Sequence, residues 1–207
     1  VEMSNFYLDI IKDRLYCGDG TTRASARSAL FLILDGMTRM LAPILAFTSQ
    51  EIWTAMPHKA GDDPECVLFN DIPDYDPALA LDEAETARWQ ELLEVRDIVL
   101  KTLEEAREQG IKKNQDAEVT LALDGNQIIA WEEKHYLPGF DEAELAALFI
   151  VSKVTVEQRD DEIPGLKVLV KLSDTPKCPR CWNHDEHIGA PGHHAELCAR
   201  CARVLGE

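Results

Sequence analysis

The chain of 207 residues is 45% apolar and carries a formal net charge of −17. That is enough apolar material for the core of one or two domains, and a charge that argues against nonspecific attraction to a polyanion. The longest apolar run, around Ala29 to Leu34, is broken by Asp35 and Arg39, far short of the roughly 20 residues that a bilayer crossing requires. No basic stretch followed by an apolar segment and a small-residue cleavage site opens the chain. It starts at Val1 without an initiator methionine and reads as a piece of a longer, soluble protein.

Residues 4 to 16 repeat apolar positions in helical fashion, with Phe6, Ile10 and Ile11 on one side, and Gly18 and Gly20 end the run. The start of this helix is expected to extend before Val1. Thr21 or Thr22 caps the next helix, whose Ala26, Ala29, Leu30, Ile33, Leu34, Met37, Met40 and Leu41 keep the three-four spacing of a core-facing stripe. Pro43 kinks it or begins a second helix that ends near Pro57. Residues 57 to 79, with Pro57, Pro64, Pro73 and Pro77 among acidic side chains, read as a surface connection. The acidic run from Asp62 to Asp76 reads as a solvated face. Asp82 then caps a helix from Glu83 to Gln109, with the stripe Trp89, Leu92, Leu93, Val99, Leu100 and Leu103, and Gly110 is its stop.

After Gly110 the period changes. Val119, Leu121 and Leu123 alternate with Thr120 and Ala122 as a half-buried strand over 117–123, closed by a turn at Asp124-Gly125. Helical segments are expected over 126–137 and 141–149. Strands are expected over 153–158 and 166–172, joined by a turn at Pro164-Gly165. The expected fold class is α+β, mainly α: a helical bundle over 1–110, a small α+β unit over 111–175 and a four-cysteine knuckle over 176–207.

Charge is uneven along the chain: residues 59 to 110 hold five Lys/Arg against fifteen Asp/Glu, whereas 176 to 207 are balanced at four against four. Any contact with nucleic acid must therefore be local. Cys178-Pro-Arg-Cys181 is followed after sixteen residues by Cys198-Ala-Arg-Cys201. A Cys-x-x-Cys turn directs both sulfurs to one point, and two such turns supply the four thiolates of a closed, structural zinc site. This spacing fits metal binding in a reduced cytoplasm better than disulfides. His184, His187, His193 and His194 lie between the pairs as alternative ligands, but with both pairs intact they read as solvated loop residues. Cys17 and Cys66 read as inert thiols.

Three stretches of the first half carry a resemblance: Ser4-Asn-Phe-Tyr-Leu-Asp9, Lys12-Asp-Arg-Leu-Tyr16, and Met40-Leu-Ala-Pro-Ile-Leu-Ala-Phe-Thr-Ser-Gln-Glu-Ile-Trp53. They look like the anticodon-binding helical domain of the isoleucyl-tRNA synthetases, a class I family. The tail, with Cys178-Pro-Arg-Cys-Trp-Asn183 and Leu197-Cys-Ala-Arg-Cys201, is similar to the zinc segment closing the bacterial form. Residues 111 to 172 match by position more than by motif. The resemblance implies one structural zinc, binding of the anticodon arm of isoleucine tRNA, and a monomer whose ATP-dependent catalytic domain and editing domain lie elsewhere in the parent chain. No Lys-Met-Ser-Lys-Ser loop, glycine-rich phosphate cradle or paired catalytic carboxylates occur here, so the chain is not expected to aminoacylate by itself.

Two other readings stand beside this one: the zinc-finger tail of a DNA-repair glycosylase, which would need an amino-terminal catalytic proline and a broadly basic face, and a structural docking module. Among the basic residues, Arg23, Arg27, Lys112, Lys113, Arg180, Arg200 and Arg203 lie away from the most acidic tract and are candidates for phosphate contact. Arg180 and Arg200 stand out because each holds the third position of a Cys-x-x-Cys turn. Trp182 follows the second cysteine; the resemblance places a tryptophan there against the anticodon. Two roles are open to it, stacking on an unpaired base or packing over the zinc turn as a small core.

Overall fold

Residues 3–108, 110–161, 163–190 and 192–206 are described by a computed structural model. They fall into two units, one made of Val1–Cys17 with Leu81–Glu207 and the other of Gly18–Ala80. The fold class is the expected one: mainly helical, with a small three-stranded sheet and a four-cysteine cluster.

In the first unit a π-helical stretch, Met3–Tyr7, leads into helix α1 (Leu8–Cys17). In the second, helices α2 (Gly20–Leu41) and α3 (Ala46–Ala55) are followed by an irregular connector. The cap of α2 is Asp19 and neither threonine: its carboxylate accepts from the Thr22 amide at 2.7 Å and from the Thr22 hydroxyl at 2.8 Å. Asp is the stronger cap and uses the threonine as a partner. Pro43, which has no N–H to continue the ladder, lies in the turn between α2 and α3, neither kinking a helix nor starting one.

The burial of α2 differs from its apolar pattern. Leu34, Met37 and Met40 are 41%, 45% and 53% exposed, whereas Asp35, Thr38 and Arg39 are buried. The connector explains this, because it covers the polar face. Arg39 pairs with Asp35 (2.8 Å) and with Asp62 of the connector (2.8 Å), and Lys59 reaches Asp35 at 2.6 Å. The Arg39 guanidinium lies 4.8 Å from the ring centre of Trp53, which is fully buried and donates its indole N–H to the Asp63 carbonyl at 3.0 Å. Gln50 of α3 closes the other end, accepting from the Val67 amide and donating to the Glu65 carbonyl. The acidic run is thus a structural strap at its beginning, and Val67 within it is buried.

The core of the first unit is built on helix α4 (Glu83–Arg107), which opens with a capping box between Asp82 and Glu85. Leu92, Val95, Val99, Leu103 and Ala106 form its buried stripe; fully burying one such aliphatic side chain contributes about 1.5–3 kcal/mol. α4 ends at Arg107 with Glu108 as its C-cap, short of the expected end; Gln109 lies outside the described residues, as does the expected start of the first helix. Strand β1 (Ala117–Leu123) follows, then α5 (Gly125–Glu132), α6 (Glu142–Phe149), β2 (Lys153–Gln158) and β3 (Lys167–Leu172). The turn expected at Asp124-Gly125 is instead the start of α5, capped by Asp124 and Gln127; the second carboxylate oxygen of Asp124 accepts from Gly165.

β2 and β3 do not pair across the Pro164-Gly165 turn. The order is β2-β1-β3, with Val119 opposite Val154 in the parallel pair and opposite Val170 in the antiparallel one. β1 takes the centre because it is the most buried strand, with Val119, Leu121 and Leu123 on one face and Ala122 on the other, while the lysines of β2 and β3 suit edges. The central β1 places residues 112–116 at the sheet end beside which the cysteine tail is fastened.

Candidate metal centre and nucleic-acid interface

The tail leaves β3 and turns back in a short antiparallel bridge between Lys177 and His184. Within it the Cys178 amide donates to the Asn183 carbonyl and the Trp182 amide to the Cys178 carbonyl, each at 2.9 Å. Helix α7 (Ala199–Leu205) carries the second cysteine pair at its beginning. The two turns bring Cys178, Cys181, Cys198 and Cys201 together, all buried, with ligand atoms within 4.8 Å of one another; no other such cluster occurs among the described residues. Cys181 and Cys198 have their sulfurs 3.7 Å apart. A tetrahedron with metal–sulfur bonds of about 2.3 Å has edges of about 3.8 Å, so the spacing and the soft, all-sulfur donor set both fit zinc.

Four thiols this close cannot all ionise by themselves. Burial raises Cys181 above the ordinary thiol range and Cys198 to about 11. At Cys178 burial works the same way but is outweighed by backbone N–H groups of Cys181, Cys198 and Arg180, which hold it at about 6. A divalent cation reverses that balance, stabilising four thiolates at once. The intervening histidines are engaged elsewhere. The His184 ring lies 2.5 Å from the Thr175 carbonyl and 3.3 Å from Asp116, and its amide donates to Ser152, fastening the tail to the sheet. The rings of His187 and His193 pack against each other at a tilt of 44°, and His194 Nδ1 accepts from the amides of Glu196 and Leu197.

Beside the cysteines is a cleft of about 880 Å³ bordered by α1, the segment 112–115, the end of α6 and the knuckle. Lys12, Arg107, Lys112, Lys113, Arg180 and Arg200 line it together with Asp9 and Asp13, so cations outnumber acids in this otherwise acidic chain. Trp182 stands at its border, 57% exposed, with the Lys113 ammonium 5.8 Å from its ring centre. The structure therefore gathers six of the proposed contact residues and cysteine ligands around one place: Arg180, Cys181, Trp182, Arg200, Lys112 and Lys113. Arg203 is exposed on α7 outside the cleft lining, and Arg23 and Arg27 belong to α2 in the other unit. Arg23 donates to the Gly18 carbonyl.

Two residues of this site have no signal in the sequence. Asp13, four residues before Cys17 on α1 and so on the same face, forms a bidentate pair with Arg200. Cys17 is buried against the cysteine cluster, its thiol 3.5 Å from the Arg180 carbonyl, and burial raises its pKa.

Comparison with known proteins agrees with this geometry. Residues 1–121 match the family described as the anticodon-binding domain of tRNA ligase, and residues 176–204 match the zinc finger found in FPG and IleRS. The cofactor is accordingly one structural zinc. The chain is 40% identical to the isoleucine-tRNA ligase of Syntrophotalea carbinolica over 99% of its length. To that of Coxiella burnetii it is 41% identical over 97%, and to that of Pectobacterium atrosepticum 36% over 100%. In each case it spans 22% of the relative's length. With a helical half matched over residues 1–121 and a zinc finger matched over 176–204, the chain belongs to the family of anticodon-binding domains of tRNA ligases.

Proposed function

We propose that this chain is the tRNA-recognition module of an isoleucine-tRNA ligase, binding the anticodon arm of isoleucine tRNA while the remaining, larger part of the parent chain activates isoleucine with ATP and edits errors. The observation that carries this reading is likeness to isoleucine-tRNA ligases over the whole chain, joined to an exposed tryptophan beside Lys113 at the knuckle. Zinc is held by Cys178, Cys181, Cys198 and Cys201 and supplies rigidity, not chemistry, since four thiolates leave no open position. Lys112, Lys113 and Arg203 of the first unit, with Arg23 and Arg27 of the second, offer charge to phosphates, and Trp182 offers its face to an unpaired base. In functional terms the chain divides into residues 1–110, 111–175 and 176–207; the start of the zinc-finger match at residue 176 supports the last boundary. The protein works as a cytoplasmic monomer. Among the described residues no helix is long and apolar enough to cross a membrane. The finger alone also fits a DNA-repair glycosylase, but the match over residues 1–121 favours tRNA.

Titration of the full chain with isoleucine tRNA at several salt concentrations tests the reading. With about three phosphates neutralised, log affinity should fall with log salt at a slope of about −2 to −3. Equal affinity for isoleucine tRNA and random duplex DNA defeats the proposal.

A further inference from the structure

The two arginines at the third positions of the Cys-x-x-Cys turns are placed to do something other than bind phosphate. Arg180 donates to the carbonyls of Cys17 (3.2 Å) and Tyr16 (3.3 Å), which belong to the last turn of α1. Those carbonyls have no partner inside the helix, and a cation there also meets the negative end of the helix dipole. The Cys17 thiol returns a bond to the Arg180 carbonyl. Arg200 grips the Asp13 carboxylate with both terminal nitrogens, 2.8 Å for one and shorter for the other, one turn earlier on the same helix.

We propose that Arg180 and Arg200 are a pair of clamps, each joining its own Cys-x-x-Cys turn to the last turns of α1, so that filling the metal site and docking α1 on the knuckle are one coupled event. A zinc with four thiolates carries a net charge of −2, which the Arg180 guanidinium beside it offsets in part, while Arg200 is already paired with Asp13. The planar, forked donor set of arginine serves two oxygens at once, the Tyr16 and Cys17 carbonyls for Arg180 and both carboxylate oxygens of Asp13 for Arg200, which a lysine ammonium cannot do in the same geometry. Both residues are thereby positioning residues. They set the wall of the cleft formed by residues 13–17, and direct phosphate contact is left to Lys112 and Lys113. This inference rests on the four-cysteine zinc assignment.

Amide hydrogen exchange of the full chain, with zinc and after chelation, reads the coupling directly. Zinc should slow exchange at residues 14–17 in the unaltered protein. Asp13→Asn should still bind one equivalent of zinc but lose that slowing, and a chelator should remove its zinc roughly tenfold more readily. Asp13→Glu, which keeps the charge, should restore both. If Asp13→Asn fails to fold, Arg200→Lys answers the same question. Zinc binding with no change at residues 14–17 in the unaltered protein, or an unchanged response in Asp13→Asn, overturns the clamp alone. Absence of zinc from the unaltered protein overturns the metal assignment beneath it.

Discussion

Trp182 has φ of 66°, a left-handed conformation that favours glycine and costs a larger residue on the order of 1–3 kcal/mol. Its amide is fixed to the Cys178 carbonyl, so the knuckle itself imposes the strain. The ring is 57% exposed and therefore not the small core of the turn. A strained, exposed aromatic is a costly choice for stability alone, which supports stacking on RNA. Trp182→Gly separates the two demands. It should keep zinc and melt no lower than the unaltered protein, while tRNA affinity falls by about 1–3 kcal/mol; Trp182→Phe should keep most of the affinity. Metal analysis, a thermal melt and a binding titration check this, and zinc loss with an unfolded tail would return Trp182 to the core.

Among the elements, the link between α2 and its connector is electrostatic. At Asp35 burial alone would raise the carboxyl pKa, but hydrogen bonds from Lys59 and Arg39 outweigh it and hold the group below its ordinary value. Asp62 is held low in the same way, chiefly by Arg39. For a depressed carboxyl the folded state binds the proton less readily than the unfolded chain. The stabilisation is therefore complete above about pH 4, the unfolded value, and lost as pH falls through the folded one. Asp35→Ala leaves the buried Arg39 with Asp62 as its remaining carboxylate partner and should cost the Gly18–Ala80 unit about 3 kcal/mol in urea unfolding. Its acid-side loss of stability should be shallower than in the unaltered protein; an equally steep acid limb would show that the network is not the origin. The pattern of α2 was misleading for a related reason. Its period was legible as a helix, but Asp35 and Arg39 are buried by residues 59 and 62, and local sequence does not reveal that a distant strap will satisfy them.

For the molecule as a whole, the tail has too little apolar surface to fold without its metal. Chelation should unfold residues 176–206, exposing four thiols to alkylation, while the helical content of α2 to α6 persists in circular dichroism. A tail that stays protected without zinc would contradict this. The sequence by itself determined the four-cysteine zinc site, because two tight turns of fixed spacing specify ligand geometry locally. It also determined the three strands and the cap of α4 at Asp82, which depend on period and on a side chain three residues from its amide. Only the tertiary structure decided that β1 lies between β2 and β3, since strand order follows from which strand folding buries most. The partners of the two turn arginines were decided in the same way. Arg200 finds Asp13 187 positions away, and a charge whose partner is brought by folding carries no local mark of whether it faces solvent, a phosphate or a carboxylate.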